Sequence, residues 1–288
     1  MLVYRADLKT CAYIITTTAL FAGLWVYGFN WIAYFFFLLF SISVSVMTHN
    51  HQHLNIWKSK VLNVLTDWWL TVFYGVPIFT WIPTHNRNHH KFNNKEGDSS
   101  VTYRHTEENN LLSLLSYPSV SGYHQMKESI VPYMAKLRQT DRKTFLLNWA
   151  QIVILALWII GFLIFDWKRA LLFVVIPQQF SAFTVMVFNY VQHVHADEES
   201  KYDHSRNFMG VNWLYFNNGY HTAHHERAGV HWSLLPAEHA KIVHLIKPEL
   251  IEKTMLGFLF RTYILGTLNK KFKTSSMRLE RIEQRQNA

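Results

Sequence analysis

Four apolar runs constrain this chain more than any other feature, because each is nearly free of charge and close to the length that crosses a bilayer. Crossing a hydrocarbon layer of about 30 Å takes about 20 helical residues at a rise of about 1.5 Å each. We predict spans at approximately residues 11–27, 31–47, 145–165 and 170–191. Only 16% of the residues are charged and 50% are hydrophobic, which is too apolar for an ordinary soluble enzyme.

The four spans form two pairs, each joined by a short segment whose residues favour a turn. Residues 28–30 (Gly-Phe-Asn) join the first pair and residues 166–169 (Asp-Trp-Lys-Arg) join the second. The first run alone could be read as a secretory signal peptide, but a second span follows it directly, which argues against cleavage. We therefore expect an all-α membrane protein with four transmembrane helices in two hairpins, capped by a cytoplasmic helical domain that carries the metal site.

The stretch 61–83 is apolar but is interrupted by Asn63, Asp67, Gly75 and Pro77. We predict that it lies at the interface or enters the membrane and returns. With four spans, both termini, the segment 48–143 and everything after the last span then lie on the same side of the membrane.

The charge distribution assigns this side. The net charge is +9, and all 28 Lys and Arg residues except Lys168 and Arg169 fall on it. The positive-inside rule makes it the cytoplasm. Topology thus explains the basic excess, and no zinc-finger, homeodomain or RNP-type signature indicates a nucleic-acid partner. The sequence does not separate a bacterial inner membrane from the endoplasmic reticulum.

We find no internal repeat and no linker, so we expect one domain over residues 1–288, with residues 231–288 as a cytoplasmic tail. The basic stretch 269–288 is predicted to be solvated or to face lipid headgroups. The single cysteine, Cys11, excludes a disulfide framework, a zinc ribbon or a cysteine-held iron–sulfur cluster within the chain.

Three clusters account for many of the 17 histidines. Residues three or four apart lie on one face of a helix, so each cluster is expected to present imidazoles in one direction, and imidazole is a ligand for iron, copper, nickel and zinc. One such pair is usually a surface feature, whereas three clusters on one predicted side indicate a metal site. Their candidate ligands are His49 and His53, then His85, His89 and His90, and finally His221, His224 and His225.

A further contribution comes from the end of the last span, where Asn189 and His193 are four residues apart on one helical face. We count His193 as a ligand and Asn189 as a second-shell residue. His51 and His195 alternate away from their neighbours and are not counted. The remaining histidines are scattered and are read as ordinary side chains: His105, His124, His204, His231, His239 and His244.

Nine candidate imidazoles exceed what one zinc ion needs, since zinc takes four ligands. Two metals of higher coordination number with positions open for oxygen suit the set better, and iron is the natural candidate.

These residues resemble the membrane-bound fatty acid desaturase and hydroxylase superfamily, whose members carry a first box HxxxH or HxxxxH, a second box HxxHH or HxxxHH and a third box HxxHH around a di-iron centre. The resemblance runs from about Trp31 to Pro236. It implies that the three clusters hold two Fe²⁺ ions, that His193 is an additional ligand, and that Asn189 acts near the metals through a water.

Different parts of the sequence are similar to different branches of this superfamily. The second box, His85-Asn86-Arg87-Asn88-His89-His90, and the Asn189-to-His193 segment are similar to alkane hydroxylases, although Gln192 replaces an acid of that branch. The third box and residues 231–236 (His-Trp-Ser-Leu-Leu-Pro) are more similar to desaturases. We expect an O₂-dependent oxidoreductase that desaturates a fatty acyl chain, with hydroxylation of alkyl or acyl chains as the alternative.

Such an enzyme needs electrons, yet the chain has no cysteine cluster and no dinucleotide-binding glycine pattern. We expect an external donor, a ferredoxin, rubredoxin or small cytochrome with its reductase, steered by the basic cytoplasmic face. A histidine-rich metal transporter is a remote alternative, because the spans carry almost no mid-membrane polar residues beyond Gln178 and Gln179.

Overall fold

The computed structural model describes residues 1–288 and is mostly helical. Two strands of two residues, Asn207–Phe208 and Ile251–Glu252, pair in parallel with Asn207 opposite Ile251. Four segments are π-helical: Ile82–His89, Gln125–Ile130, Leu171–Val175 and Phe260–Leu265. The α-helices are Leu8–Tyr27, Trp31–His53, Lys60–Tyr74, His90–Phe92, Leu111–His124, Val131–Thr140, Arg142–Ala170, Ile176–His193, His221–Glu226, Leu235–Ile242, Met255–Leu259, Gly266–Leu268 and Met277–Gln286.

The chain folds as two compact units. The first unit comprises Met1–Pro83 and Ile130–Val185, and the second comprises Thr84–Ser129 and Met186–Ala288. The chain passes between the units three times, so no single linker separates them. The single-domain organisation over residues 1–288 stays a prediction.

Three helical stretches are long and apolar enough to cross a membrane. They are Arg5–Tyr27, Trp31–His53 and the 52-residue stretch Arg142–His193. A further pair, Lys60–Tyr74 and Ile78–Phe92, meets the same test only when taken together, and it is bent by 98°. Membrane association is therefore well supported, whereas the number of spans depends on how the bent pair and the longest stretch are counted.

The first turn forms where the sequence predicts it. The helix Leu8–Tyr27 ends at Gly28, whose φ of 89° suits glycine. The Asn30 side chain then accepts hydrogen bonds from the backbone N–H groups of Ile32 and Ala33, at 3.1 and 3.0 Å. Such an N-cap satisfies amides that the first turn of a helix leaves unpaired.

The longest apolar stretch reverses direction at Asp166. This residue has non-helical backbone angles, and its carboxylate accepts hydrogen bonds from the amides of Lys168 and Arg169. The side chain of Gln151 lies 3.4 Å from the Thr71 hydroxyl, and Gln178 donates to the carbonyl of Val72. A straight helix would place residues 151 and 178 about 40 Å apart, so contact with adjacent residues requires the chain to fold back.

The bend between the paired helices is fixed by a glycine. Gly75 has a φ of 81°, and a Cβ added there would lie 2.4 Å from Cβ of Gln178. No other residue fits that position without displacing the neighbouring helix. The interfacial or re-entrant placement of residues 61–83 agrees with this bend and stays a prediction.

Aromatic side chains pack the interior of the first unit. The ring of Phe21 lies 5.4 Å from that of Phe162, and Trp25 meets Phe162 edge to face at 4.5 Å. Hydroxyl groups on the apolar helices donate to carbonyls of the preceding turn, for example from Ser41 to Phe37 and from Thr48 to Val44. Their polar groups are thus satisfied within one helix, as a membrane requires.

The second unit is built around the end of the Ile176–His193 helix. Val187, Tyr190, Val191 and Val194 share a buried cluster with side chains from three other segments, Leu114, Tyr117, Phe208, Phe258 and Tyr263. This packing fixes the position of His193.

The C-terminal segment differs from the expected solvated tail. Residues Met277–Gln286 form a helix, and its arginines pair with acidic side chains of the same unit. Arg281 contacts Asp197 at 2.7 Å and Glu198 at 2.6 Å, and Arg278 pairs with Glu107. The basic character of this stretch did not reveal its acidic partners, because they are distant in sequence.

Candidate metal centre

The first histidine box lies on the last turns of the Trp31–His53 helix, in the first unit. The rings of His49 and His53 are 4.8 Å apart between centroids, and each offers a ring nitrogen within 4.8 Å of the other's. His49 is buried and also packs against Trp81, at 5.4 Å. The helical spacing therefore brings these two imidazoles together.

The second box, in the second unit, lies on the π-helix Ile82–His89 and the residues that follow it. A π-helix closes its hydrogen bonds from i to i+5, so residues five apart become neighbours. The Nε2 atoms of His85 and His90 accordingly lie 3.1 Å apart. The rings of His85 and His89, which the sequence spacing places on one face, are stacked with centroids 5.3 Å apart, and the wider turn brings His90 to His85 as well.

The third box occupies the short helix His221–Glu226. Nε2 of His225 lies 3.2 Å from Nε2 of His221, as expected for residues four apart. His224 instead turns to the second box, with ring centroids 4.7 Å from His90 and 6.0 Å from His85. The three imidazoles of this box therefore do not share one direction.

His193 joins the two boxes. Its Nε2 lies 3.1 Å from Nε2 of His89 and 2.9 Å from Nε2 of His221. His89, His193, His221 and His225 together offer ring nitrogens that all lie within 4.8 Å of one another. In the same unit, His85, His90 and His224 form a second set that meets the same criterion.

The hydrogen-bond partners of His89 and His193 assign their protons. Nδ1 of His89 lies 2.8 Å from the Asp98 carboxylate, and Nδ1 of His193 lies 3.2 Å from the carbonyl oxygen of His204. Both partners only accept, so in the neutral rings Nδ1 carries the proton and each Nε2 presents a lone pair. Two lone pairs facing each other at 3.1 Å repel, and a metal ion bound by both nitrogens would remove that repulsion.

Burial favours the form of imidazole that binds metal. His225 is partly buried, and desolvation lowers the pKa of its ring well below the usual range, with the neighbouring imidazoles adding to the shift. A neutral ring is the metal ligand. Convergent nitrogens, neutral rings and fixed tautomers together fit a metal centre.

Asp98 is the main partner of this centre that the sequence did not reveal. Although burial alone would raise the pKa of this carboxyl, pairing with His89 and hydrogen bonds from Ser100 hold it well below its usual range. Asp98 also accepts from the amides of Asn94 and Ser100, at 2.8 and 2.7 Å. A carboxylate behind a ligating histidine fixes the ring and raises its basicity. Nothing in the local spacing around Asp98 signalled this role.

His204 is a second residue that the sequence left among ordinary histidines. Its ring is buried, lies 5.4 Å from that of His225, and approaches Glu226 at 3.9 Å. Burial lowers the pKa of His204 to about 4. Its neutral ring therefore lines the candidate centre beside His225. Its carbonyl oxygen orients the ring of His193.

Asn189 lies one helical turn before His193, where the sequence places it. Its amide donates to the Tyr117 hydroxyl at 2.6 Å, and Tyr117 donates to the carbonyl of Ser100 at 2.6 Å. Ser100 Oγ in turn donates to Asp98 at 2.6 Å. Asn189 thus reaches His89 through a chain of hydrogen bonds.

The two uncounted histidines have other partners. His51 accepts a hydrogen bond from the amide of Ile56 and lies 3.2 Å from Asp67. His195 contacts the carbonyl oxygens of Glu107 and Thr274, at 2.6 and 3.1 Å. The contacts of His195 involve both of its ring nitrogens, and the Ile56 amide occupies Nδ1 of His51.

Comparison with known proteins gives one match. The family described as fatty acid desaturase matches residues 12–255. Searches of curated proteins and of solved structures found no match.

Proposed function

This chain belongs to the fatty acid desaturase family, and we propose from this membership and from its histidine groups that it is a membrane-bound di-iron oxidoreductase that desaturates a fatty acyl chain. Family and histidine clusters together support a desaturase or hydroxylase type of enzyme. The observation that carries the proposal is the pair of imidazole groups within the second unit.

We assign one iron to His89, His193, His221 and His225, whose ring nitrogens converge. The second iron is assigned to His85, His90 and His224. We add His49 and His53 to this second set from the box pattern alone. Imidazole suits iron, and two positions of higher coordination number account for nine ligands better than zinc does.

When bound, the iron pair would supply, with O₂ and electrons, the oxidising power that breaks an unactivated C–H bond. The protein's own residues hold and orient that centre. Asp98 and the His204 carbonyl fix the rings of His89 and His193, and Asn189 connects to the same support through Tyr117. The burial of His89, His193 and His221 limits the access of water to the centre, which favours reaction with the acyl chain over reaction with water.

We propose four spans with both termini and the metal centre in the cytoplasm. The reversal at Asp166 supports dividing the longest apolar stretch into two spans, at approximately residues 145–165 and 170–191. The two basic residues at that turn, Lys168 and Arg169, would then be the only ones on the far side. Residues 61–83 are proposed to return without crossing.

Electrons are proposed to come from an external ferredoxin, rubredoxin or small cytochrome with its reductase. The chain has one cysteine, so it cannot hold an iron–sulfur cluster on its own thiolates. A net charge of +9 favours an acidic donor.

The proposal is tested by expression in a host that supplies a reductase, followed by mass spectrometry of the fatty acids. Loss of two hydrogens from an acyl chain is the expected result. Gain of one oxygen would identify hydroxylation, which the second box and the Asn189-to-His193 segment favour. The His224→Ala variant is the matched control and should produce neither. Metal analysis of the purified protein should find two retained irons, whereas weakly held, exchangeable ions would favour the transporter alternative.

A further inference from the structure

The segment Met255–Leu268 is apolar, too short to cross a bilayer, and exposes one face. Four large apolar side chains on it are open to the surroundings: Leu256 by 80%, Phe260 by 56%, Ile264 by 48% and Leu268 by 82%. They recur every four residues, so they form one stripe, which we call the outer stripe. A stripe of this size on a short helix needs a cover, because isolated exposed apolar residues are ordinary but contiguous ones are not.

The local structure keeps the outer stripe straight. In an α-helix a step of four residues passes one full turn by about 40°, so three steps would carry the stripe a third of the way round the axis. Residues Phe260–Leu265 are π-helical, and the wider i to i+5 turn reverses part of that drift. The sequence thus forms a continuous apolar edge over four turns.

The inner face of the segment fixes its depth. Phe258 and Tyr263 pack into the cluster that contains Val187, Tyr190 and Val191, the last residues of the predicted fourth span. Residues 187 to 191 cover about 6 Å of helix. The segment therefore packs against the end of the predicted span, the level at which interfacial helices lie, about 5–10 Å into the boundary between headgroups and acyl chains.

A second helix repeats this arrangement. Leu114 and Tyr117 of the helix Leu111–His124 pack into the same cluster. On its other face Leu112 is 76% exposed and Leu115 is 51% exposed. Two helices at one end of a span therefore both direct apolar side chains away from the protein interior.

Charge identifies the occupant of this surface. The segment is flanked by exposed lysines, with Lys253 before it and Lys270, Lys271 and Lys273 after it. Lysines beside an apolar stripe match a membrane with anionic headgroups, each contributing about 1 kcal/mol near such a surface. A second copy of this chain would bring these lysines toward each other, which disfavours a dimer.

We propose that Met255–Leu268 is an interfacial helix that inserts its outer stripe into the cytoplasmic leaflet and binds anionic phospholipid through Lys270, Lys271 and Lys273. The inference rests on the proposed membrane placement of the Ile176–His193 helix. It assigns the second unit its own membrane contact in addition to the spans.

The test uses spin labels on the full-length protein in vesicles of phosphatidylcholine with phosphatidylglycerol. In a Cys11→Ser background, each variant carries one cysteine in place of Leu256, Phe260, Ile264 or Leu268. The control variant carries its cysteine in place of Lys241, on the helix Leu235–Ile242, where the side chain is 62% exposed. Collision with O₂, which concentrates in lipid, should exceed collision with an aqueous nickel chelate at the four stripe positions and fall below it at position 241. Higher nickel accessibility along the stripe would overturn the proposal. Labels that reach neither probe would also overturn it, in favour of a protein cover.

The lysines are tested separately with a fluorophore at position 268. Brominated phosphatidylglycerol should quench it more than brominated phosphatidylcholine, and the triple variant Lys270→Gln, Lys271→Gln, Lys273→Gln should lose that preference. Equal quenching by the two brominated lipids in the labelled protein that keeps all three lysines would refute recognition of anionic headgroups. Neither measurement depends on turnover, and iron content determined on the same samples separates failure of this inference from failure of the di-iron assignment.

Discussion

Nδ1 of His89 lies 2.8 Å from Oδ2 of Asp98, so a buried carboxylate holds the ring whose other nitrogen faces His193. Four hydrogen bonds from Asn94, Ser100 and His89 surround this carboxylate. The network extends the metal centre beyond its ligands.

Asp98→Asn should weaken metal binding by roughly 10–100-fold, the usual cost of losing such a partner. Iron retained after dialysis against a chelator measures this. Glu108→Gln, at an exposed position of the same unit, is the control and should retain iron as the unsubstituted protein does. Equal retention in Asp98→Asn would show that the carboxylate is not part of the centre.

The stability of the metal-free protein should depend on pH through Asp98. A carboxyl whose pKa is lower folded than unfolded stabilises the fold at pH values above its unfolded pKa of about 3.9, and this contribution is lost as the pH falls further. Leaving a buried hydrogen-bond donor without its acceptor costs about 1–3 kcal/mol. The difference in unfolding free energy between the protein and Asp98→Asn should therefore shrink as the pH falls below about 4.

The metal ligands should be separable from ordinary histidines. His89→Ala, His193→Ala and His224→Ala should each lose activity and at least part of the iron, since each removes a converging ring nitrogen. His124→Ala and His244→Ala should keep both, because His124 pairs with Glu128 on the surface and His244 is exposed. Metal analysis and product formation measure the two outcomes. Full activity in His224→Ala would refute the di-iron assignment.

Asn189→Ala should keep most of its iron and turn over roughly 10–100-fold more slowly, as expected for a residue that supports ligands without binding metal. Tyr117→Phe removes the hydroxyl that accepts a hydrogen bond from the Asn189 amide. This variant should reproduce part of the loss of turnover. Single-turnover rates on iron-matched samples check this. Unchanged turnover in Asn189→Ala would leave that residue a merely interfacial amide.

Arg206→Met should destabilise the end of the helix that presents His193. The buried guanidinium donates to the carbonyls of Val191 and Val194, at 2.8 and 3.1 Å. Burial lowers the pKa of Arg206 to about 10, so it is charged at neutral pH. Each carbonyl left unpaired costs about 1–3 kcal/mol.

Chemical denaturation of Arg206→Met, together with its iron content, measures this loss. The exposed Arg227→Met, which breaks only a surface pair with Glu238, should change the unfolding free energy by less than about 1 kcal/mol. A similar effect of the two substitutions would argue against a capping role for Arg206.

The rate with an acidic electron donor should fall as ionic strength rises, because exposed charges are screened beyond about 8 Å at physiological salt. Turnover driven by peroxide bypasses the donor and should change little. A donor-dependent rate that is flat with salt would mean that docking is not electrostatic and that the basic excess reflects topology alone.

The sequence predicts much of this architecture because membrane spans depend on composition, which is local. The turn at residues 28–30 and the reversal at Asp166 both lie where polar residues interrupt apolar runs. The bend at Gly75 falls in the stretch 61–83, where polar residues, a glycine and a proline interrupt the apolar run. Each of these features follows from a few adjacent residues.

The candidate metal centre is harder to predict from the sequence. Which of its histidines lie together depends on the type of helix and on segments that are distant in sequence. The π-helix around His85 joins that residue to His90, where α-helical spacing favours His89. Asp98 and His204 come from irregular segments with no periodic pattern. Their roles arise only where the fold places them beside His89 and His193.

The second and third boxes each send histidines to both groups: His85 and His90 lie with His224, while His89 lies with His221 and His225. On the proposed assignment, an ion at one position would order both chain segments that the other position requires. Coupling of this kind would make loading cooperative. A partly filled preparation should consist mainly of molecules with no metal and molecules with both, so the average iron content would understate how many molecules carry a complete pair.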